Sequence, residues 1–99
     1  MVRPRKCRFV FAEPDVTYFK PRGVPLRELD EVELSVEEFE AIRLKDLEGK
    51  EQTKAAKTMG ISQPTLNRLL NSARKKIAEA LVGGKAIKIK GGVYSLKKR

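Results

Sequence analysis

The sequence predicts a mainly α-helical single domain with short β-strands at its N- and C-terminal ends. Three observations carry that prediction. Between residues 35 and 83, apolar residues recur at helical spacing, with Ser35 and Ser62 as start signals and Gly49, Gly60 and Gly83 as stops. Outside that span, short runs of aromatic and β-branched residues are cut apart by prolines and glycines. Finally, 99 residues, 40% hydrophobic and 35% charged, suit one small globular domain better than a disordered chain.

Residues 1–34 are expected to form a basic arm, short strands and a Pro/Gly connector. Phe9, Val10 and Phe11 begin one strand, ended by Glu13-Pro14-Asp15; residues 16–19 begin another, stopped by Lys20-Pro21. Pro21, Gly23 and Pro25 forbid regular structure, and a short acidic helix or turn over 26–33 would use Leu26, Leu29 and Val32. Residues 35–83 hold the confident helices. Ser35 and Glu38 make an S-x-x-E capping box, and Glu37, Glu38 and Glu40 sit where the helix dipole favours negative charge. Phe39, Ala41, Ile42, Leu44 and Leu47 supply the apolar stripe of this helix. A short helix follows, from about Glu51 to Met59, apolar at Ala55, Ala56 and Met59. The long helix starts at Ser62, where Pro64 is harmless because first-turn N–H groups have no intrahelical partner. Its stripe is Leu66, Leu69, Leu70, Ala73, Ile77 and Leu81. Residues 84–99 are expected as a β-hairpin turning at Gly91-Gly92, followed by a basic tail. Such a hairpin must pack on the helices or on another strand, the N-terminal one being a candidate.

Charge is distributed in blocks. The net charge is +9, with seven basic residues against two acids in 1–27, three against ten in 28–51, and twelve against one in 52–99. A polarised basic surface draws polyanions by counterion release, which makes nucleic acid the first candidate partner. With one cysteine and no histidine, an internal disulfide, Cys/His zinc sites and Ser-His or Cys-His catalytic pairs are excluded. Cys7, between Lys6 and Arg8, is read as a buried structural thiol rather than a reactive one. The acids from Glu28 to Glu40 lack a paired-ligand pattern and are read as a solvated face turned away from DNA. Gly83-Gly84-Lys85 lacks phosphate-loop spacing. No enzyme activity, cofactor or metal is expected. The apolar run after the basic start, Phe9 to Ala12, is too short for a signal peptide, and no run spans a bilayer, so a cytoplasmic protein is expected.

The stretch from Gln52 to Asn71 fits a helix-turn-helix. Ala56 is small where two helices would nearly touch, Gly60 suits a positive φ in the turn, and Ile61 and Leu66 fill the space between the helices. The polar residues near the start of the second helix then fall where DNA-reading helices meet base edges: Gln63, Pro64, Thr65, Asn67, Arg68 and Asn71. Thr53, Ser62, Arg74, Lys75 and Lys76 are candidates for phosphates, as is the arm with Arg3, Arg5, Lys6 and Arg8. Lys85, Lys88 and Lys90 beside Gly91-Gly92 suggest either a wing on the DNA backbone or a structural or dimer-forming hairpin.

RPRKCR, VTYFKPRGVPLRELDEVELSVEEFEAIRLKDLEG and KAAKTMGISQPTLNRLLNSARKKIAEALVGGKAIKIKGG occur in this order. The chain thereby resembles the small prokaryotic proteins grouped as domain of unknown function 134, with residues 18–26 as the most specific part. Members are regarded as DNA-binding proteins whose helix-turn-helix is similar to region four of sigma-70 factors. The resemblance implies a sigma-region-four-like fold and a transcriptional role, but no operator, ligand or catalytic residue. Where the family often has a basic residue after the turn serine, this chain has Gln63, so no base preference carries over.

The expected function is sequence-specific binding of double-stranded DNA by a transcriptional regulator, as a homodimer because one small reading helix gives little affinity alone. The alternatives are a non-specific DNA- or RNA-binding protein, and an interaction module that docks on RNA polymerase or a partner regulator.

Overall fold

Ser35 opens the helical part of the chain with the signal its sequence carries. Its hydroxyl accepts the Glu38 N–H at 3.1 Å while the Glu38 carboxylate accepts the Ser35 N–H at 2.9 Å, satisfying donors that a helix start leaves orphaned. The computed structural model describes residues 8–97. Among them are three α-helices: α1 (Val36–Ile42), α2 (Gln52–Met59) and α3 (Gln63–Gly83). α1 runs on into a wider π-helical turn at Arg43–Leu47. That widening breaks the 3.6-residue period, so Ala41 and Leu44 stay buried while Leu47, expected on the same stripe, is exposed. None of these helices is long and apolar enough to cross a membrane.

The strands are β1 (Arg8–Val10), β2 (Tyr18–Phe19), β3 (Glu31–Leu34), β4 (Ala86–Ile89) and β5 (Tyr94–Leu96). β4 is central in a three-stranded sheet. It lies parallel to β3, with Glu31 beside Ala86 and Leu34 beside Ile89, and antiparallel to β2, with Phe19 beside Ile87. β1 and β5 form a separate parallel pair, Arg8 beside Tyr94 and Val10 beside Leu96.

One expectation holds in part and another fails. Of the acidic helix or turn expected over 26–33, a 3-10 turn forms at Leu26–Glu28 but does not extend; beyond it, buried Val32 and Leu34 alternate with exposed Glu31 and Glu33, the period of a strand. The hairpin at Gly91-Gly92 does not form, because β2 and β3 already occupy both edges of β4 and leave β5 to pair with β1. The two glycines, with φ of 83° and 103°, carry the chain across the start of α1. There the Val36 N–H donates to the Gly91 carbonyl at 3.1 Å and the Val93 N–H to the Glu37 carboxylate at 2.8 Å. Strands from the two terminal segments thus pair with each other around the helices.

The core has two adjoining clusters. Ala41, Leu44, Ala55, Ala56, Met59, Leu66 and Leu70 join the three helices, while Val10, Leu34, Val36, Ala73 and Ile89 seat both sheets on α1 and α3. At the far end of α3, Leu81 is exposed and Ala80 is buried in its place. The chain turns back at Gly84 along the Ala80 side, the Lys85 N–H donating to the Ala80 carbonyl at 2.8 Å.

Candidate nucleic-acid interface

The turn between α2 and α3 is built from one glycine and one serine. Gly60 caps α2 in the left-handed region (φ 67°), and the Ile61 N–H donates back to the Ala56 carbonyl at 3.0 Å. A Cβ on Gly60 would stand 3.0 Å from a ring carbon of Phe9, so β1 lies directly against the turn. The Lys97 ammonium sits 4.6 Å from the centroid of the same ring. Ser62 then starts α3, its hydroxyl accepting the Thr65 N–H at 3.2 Å. Buried Ala56, Met59, Leu66 and Leu70 fix how α2 and α3 sit together.

At 100° per residue, the face of α3 opposite Leu66, Leu70 and Ala73 carries Pro64, Arg68, Asn71 and Lys75, with Asn67 on its flank, all exposed. Gln63, also exposed, lies between Asn67 and the buried stripe, in the first turn. Thr65 is half-buried on the flank, its hydroxyl 2.9 Å from the Ser62 hydroxyl and 3.5 Å from an Arg68 nitrogen. The Asn67 side-chain carbonyl accepts a hydrogen bond from the Gln52 amide at the start of α2. Gln52 was not among the residues singled out from sequence; its placement in the first turn of α2 was the only local signal. Thr53 is exposed in that same turn, and Lys54 and Lys57 are exposed farther along α2.

The phosphate candidates divide. Lys75 is exposed, whereas the Arg74 guanidinium makes two bonds to Asp46, at 2.6 and 3.0 Å, and holds that carboxyl below its ordinary pKa. Lys76 turns inward to Glu38 at 2.7 Å, and Arg8 pairs with Glu37. Arg3, Arg5, Lys6 and Cys7 lie outside the described residues. Of the three lysines read as a wing, Lys85 pairs with Glu79 at 2.7 Å, Lys88 lies mid-sheet beside Glu33 and Tyr18, and Lys90 is exposed just past β4, with no hairpin at Gly91-Gly92 to present them.

The acids of α1 are also not the solvated face expected of them. Glu37, Glu38 and Glu40 are 3%, 4% and 0% exposed, which the desolvation cost of a carboxylate permits only with partners. Glu40 accepts two bonds from Arg43, at 2.6 and 2.9 Å, and the Phe11 N–H at 2.7 Å. Glu38 binds Ser72 and Lys76 of α3, and Glu37 binds Arg8 and the Val93 N–H. Three carboxylates on one helix thus tie it to β1, to α3 and to the turn before β5. Acid is thereby drawn inward, and no acid occurs between Gln52 and Ala78.

Over residues 1–97 the chain matches the family described as "Protein of unknown function DUF134". It is 63% identical over 94 residues to UPF0251 protein Teth39_0655 of Thermoanaerobacter pseudethanolicus, covering 95% of this chain and 80% of that one. It is 64% identical over 96 residues to a UPF0251 protein of Moorella thermoacetica, covering 97% of this chain and 64% of the relative. With UPF0251 protein DET0218 of Dehalococcoides mccartyi it shares 56% over 99 residues, covering 100% of this chain and 85% of the relative. No solved structure matches it.

Proposed function

The chain belongs to the DUF134 family, and we propose that it is a sequence-specific DNA-binding protein that regulates transcription. In this reading α2 and α3 are a helix-turn-helix similar to sigma-70 region four, and α3 enters the major groove from Ser62 onward. Asn67 and Asn71 have the donor–acceptor pair that matches an adenine edge, as does Gln63, and Arg68 has the fork that matches guanine. Lys75, Thr53 and Ser62 face phosphates, which set position without reading sequence.

One observation carries the reading. The outward face of α3 from Pro64 to Lys75 carries Pro64, Arg68, Asn71 and Lys75, flanked by Asn67, with no carboxylate on it. A face that only needs solvation has no reason to omit Glu, which favours a helix and adds support to nearby lysines. A face that approaches a polyanion must omit it, because each carboxylate would repel phosphate.

Selection from a random-sequence duplex pool tests this. The expected result is one enriched motif, bound with an affinity that falls steeply with salt. Uniform retention of the pool with no motif would instead make the protein a non-specific nucleic-acid binder.

A further inference from the structure

An apolar groove crosses the described surface. Two hollows of about 360 and 240 Å³ share Phe19, Ile77 and Ile87 as walls, and together they run from the end of α3, past β2, to Phe39 and Ile42 of α1. The second hollow is lined by apolar side chains throughout. Beside the groove the last turns of α3 place Ala78, Leu81 and Val82 at i, i+3 and i+4, neighbours on the helix surface. Leu81 and Val82 are 82% and 88% exposed, and Phe19 is 52% exposed. The exposed side of α3 is therefore polar and cationic in its first half, and in its last turns it carries Ala78, Leu81 and Val82 beside Glu79.

We propose that this groove is a self-association surface, in which a second copy of the chain docks the end of its α3, led by Leu81, across a two-fold axis. An isologous contact needs hollow and projection on one face of one molecule, and Leu81 is both a wall of the groove and 82% exposed. Covering Phe19, Leu81 and Val82 would take three large, exposed apolar side chains out of water, the kind of centre around which a standard interface of about 800 Å² per partner is built. The charges are self-complementary as well. The rim carries Lys20, the Lys85–Glu79 pair and the nearby Asp30, so one copy's Lys20 can meet the other's acids and the Lys85–Glu79 pair can exchange partners across the axis. The outward face of α2 and early α3, by contrast, carries Lys54, Lys57, Arg68 and Lys75 and repels a second copy.

The geometry also suits the function proposed above, on which only this last step rests. Asn67 and Leu81 are fourteen residues apart on α3, about 21 Å at 1.5 Å per residue. Two helices meeting at their C-terminal ends hold their reading segments up to about 42 Å apart, which includes the ~34 Å between successive major grooves.

Sedimentation equilibrium of the full chain without DNA, from about 1 μM to 1 mM, tests the association. The expected wild-type mass is twice the 11.2 kDa of one chain. Leu81→Asp, at an exposed site that leaves the core intact, is expected to raise the dissociation constant about 100-fold or more. Leu47→Asp, equally exposed at 80% but outside the groove, is expected to leave it unchanged. A monomer across the whole range, or a dimer indifferent to Leu81→Asp, overturns the proposal. The two readings fail separately: a dimer that selects no DNA motif sinks the DNA assignment alone, and a monomer that selects one sinks the self-association alone.

Discussion

At Glu38 a single carboxylate closes the capping box on Ser35 and also binds Ser72 and Lys76 of α3. Burial by itself would raise its pKa, but the hydrogen bonds from Lys76, Ser72 and the Ser35 N–H together outweigh burial, and the net direction is below the ordinary 4.5. A carboxyl lowered by folding adds stability above its unfolded value, and that stability is lost as pH falls through the folded value. Urea unfolding at a series of pH values is therefore expected to show stability falling below about pH 4.5, with Glu38→Gln shallower over that range. At neutral pH the same substitution is expected to cost about 1–3 kcal/mol, since hydrogen bonds to the charged form are lost. The capping role of Glu38 was legible because its partner is three residues away. Its link to α3, and the burial of Glu37 and Glu40, were not. Arg8, Phe11, Val93, Ser72 and Lys76 come from segments that only the fold brings to α1.

Among the elements, those whose ends are set by local chemistry were readable, and those set by pairing were not. Ser35, Ser62 and Gly60 each act through backbone groups within a turn of themselves, and each does so in the structure. β3 and β5 are decided by which edges of β4 are free, a property no window of sequence contains. The α2–α3 turn shows both kinds of cause at once. Gly60 needs its positive φ, and the space beyond it is filled by Phe9 from a distant strand. Gly60→Ala is expected to lower stability by about 1–3 kcal/mol through both effects, read as a drop in the urea midpoint. Ser62→Ala should cost about 1 kcal/mol through the lost cap alone. Thermal melts of the pair would show the larger loss at Gly60.

For the whole molecule the decisive feature is how charge is sorted. The three carboxylates of α1 are drawn into pairs within the body, other acids stay exposed elsewhere, and the outward face of early α3 carries cations and amides with no acid. Arg74 stands between these roles, exposed yet held by Asp46. An exposed pair of this kind contributes little to stability, so a phosphate can replace Asp46 as its partner. Asp46→Asn is therefore expected to bind DNA more tightly at low salt, with an unchanged melting temperature, in a salt titration against wild type. The block pattern of charge was visible in the sequence, but which cations are already paired was not. Under the function proposed above, α3 reads bases with Asn67 and Arg68. The most direct test of that reading is the ratio of affinities for a selected site and a scrambled duplex at fixed salt, in wild type and in Arg68→Ala. The ratio is expected to fall about tenfold or more, with binding to the scrambled duplex reduced much less. A ratio that stays at the wild-type value would contradict the account.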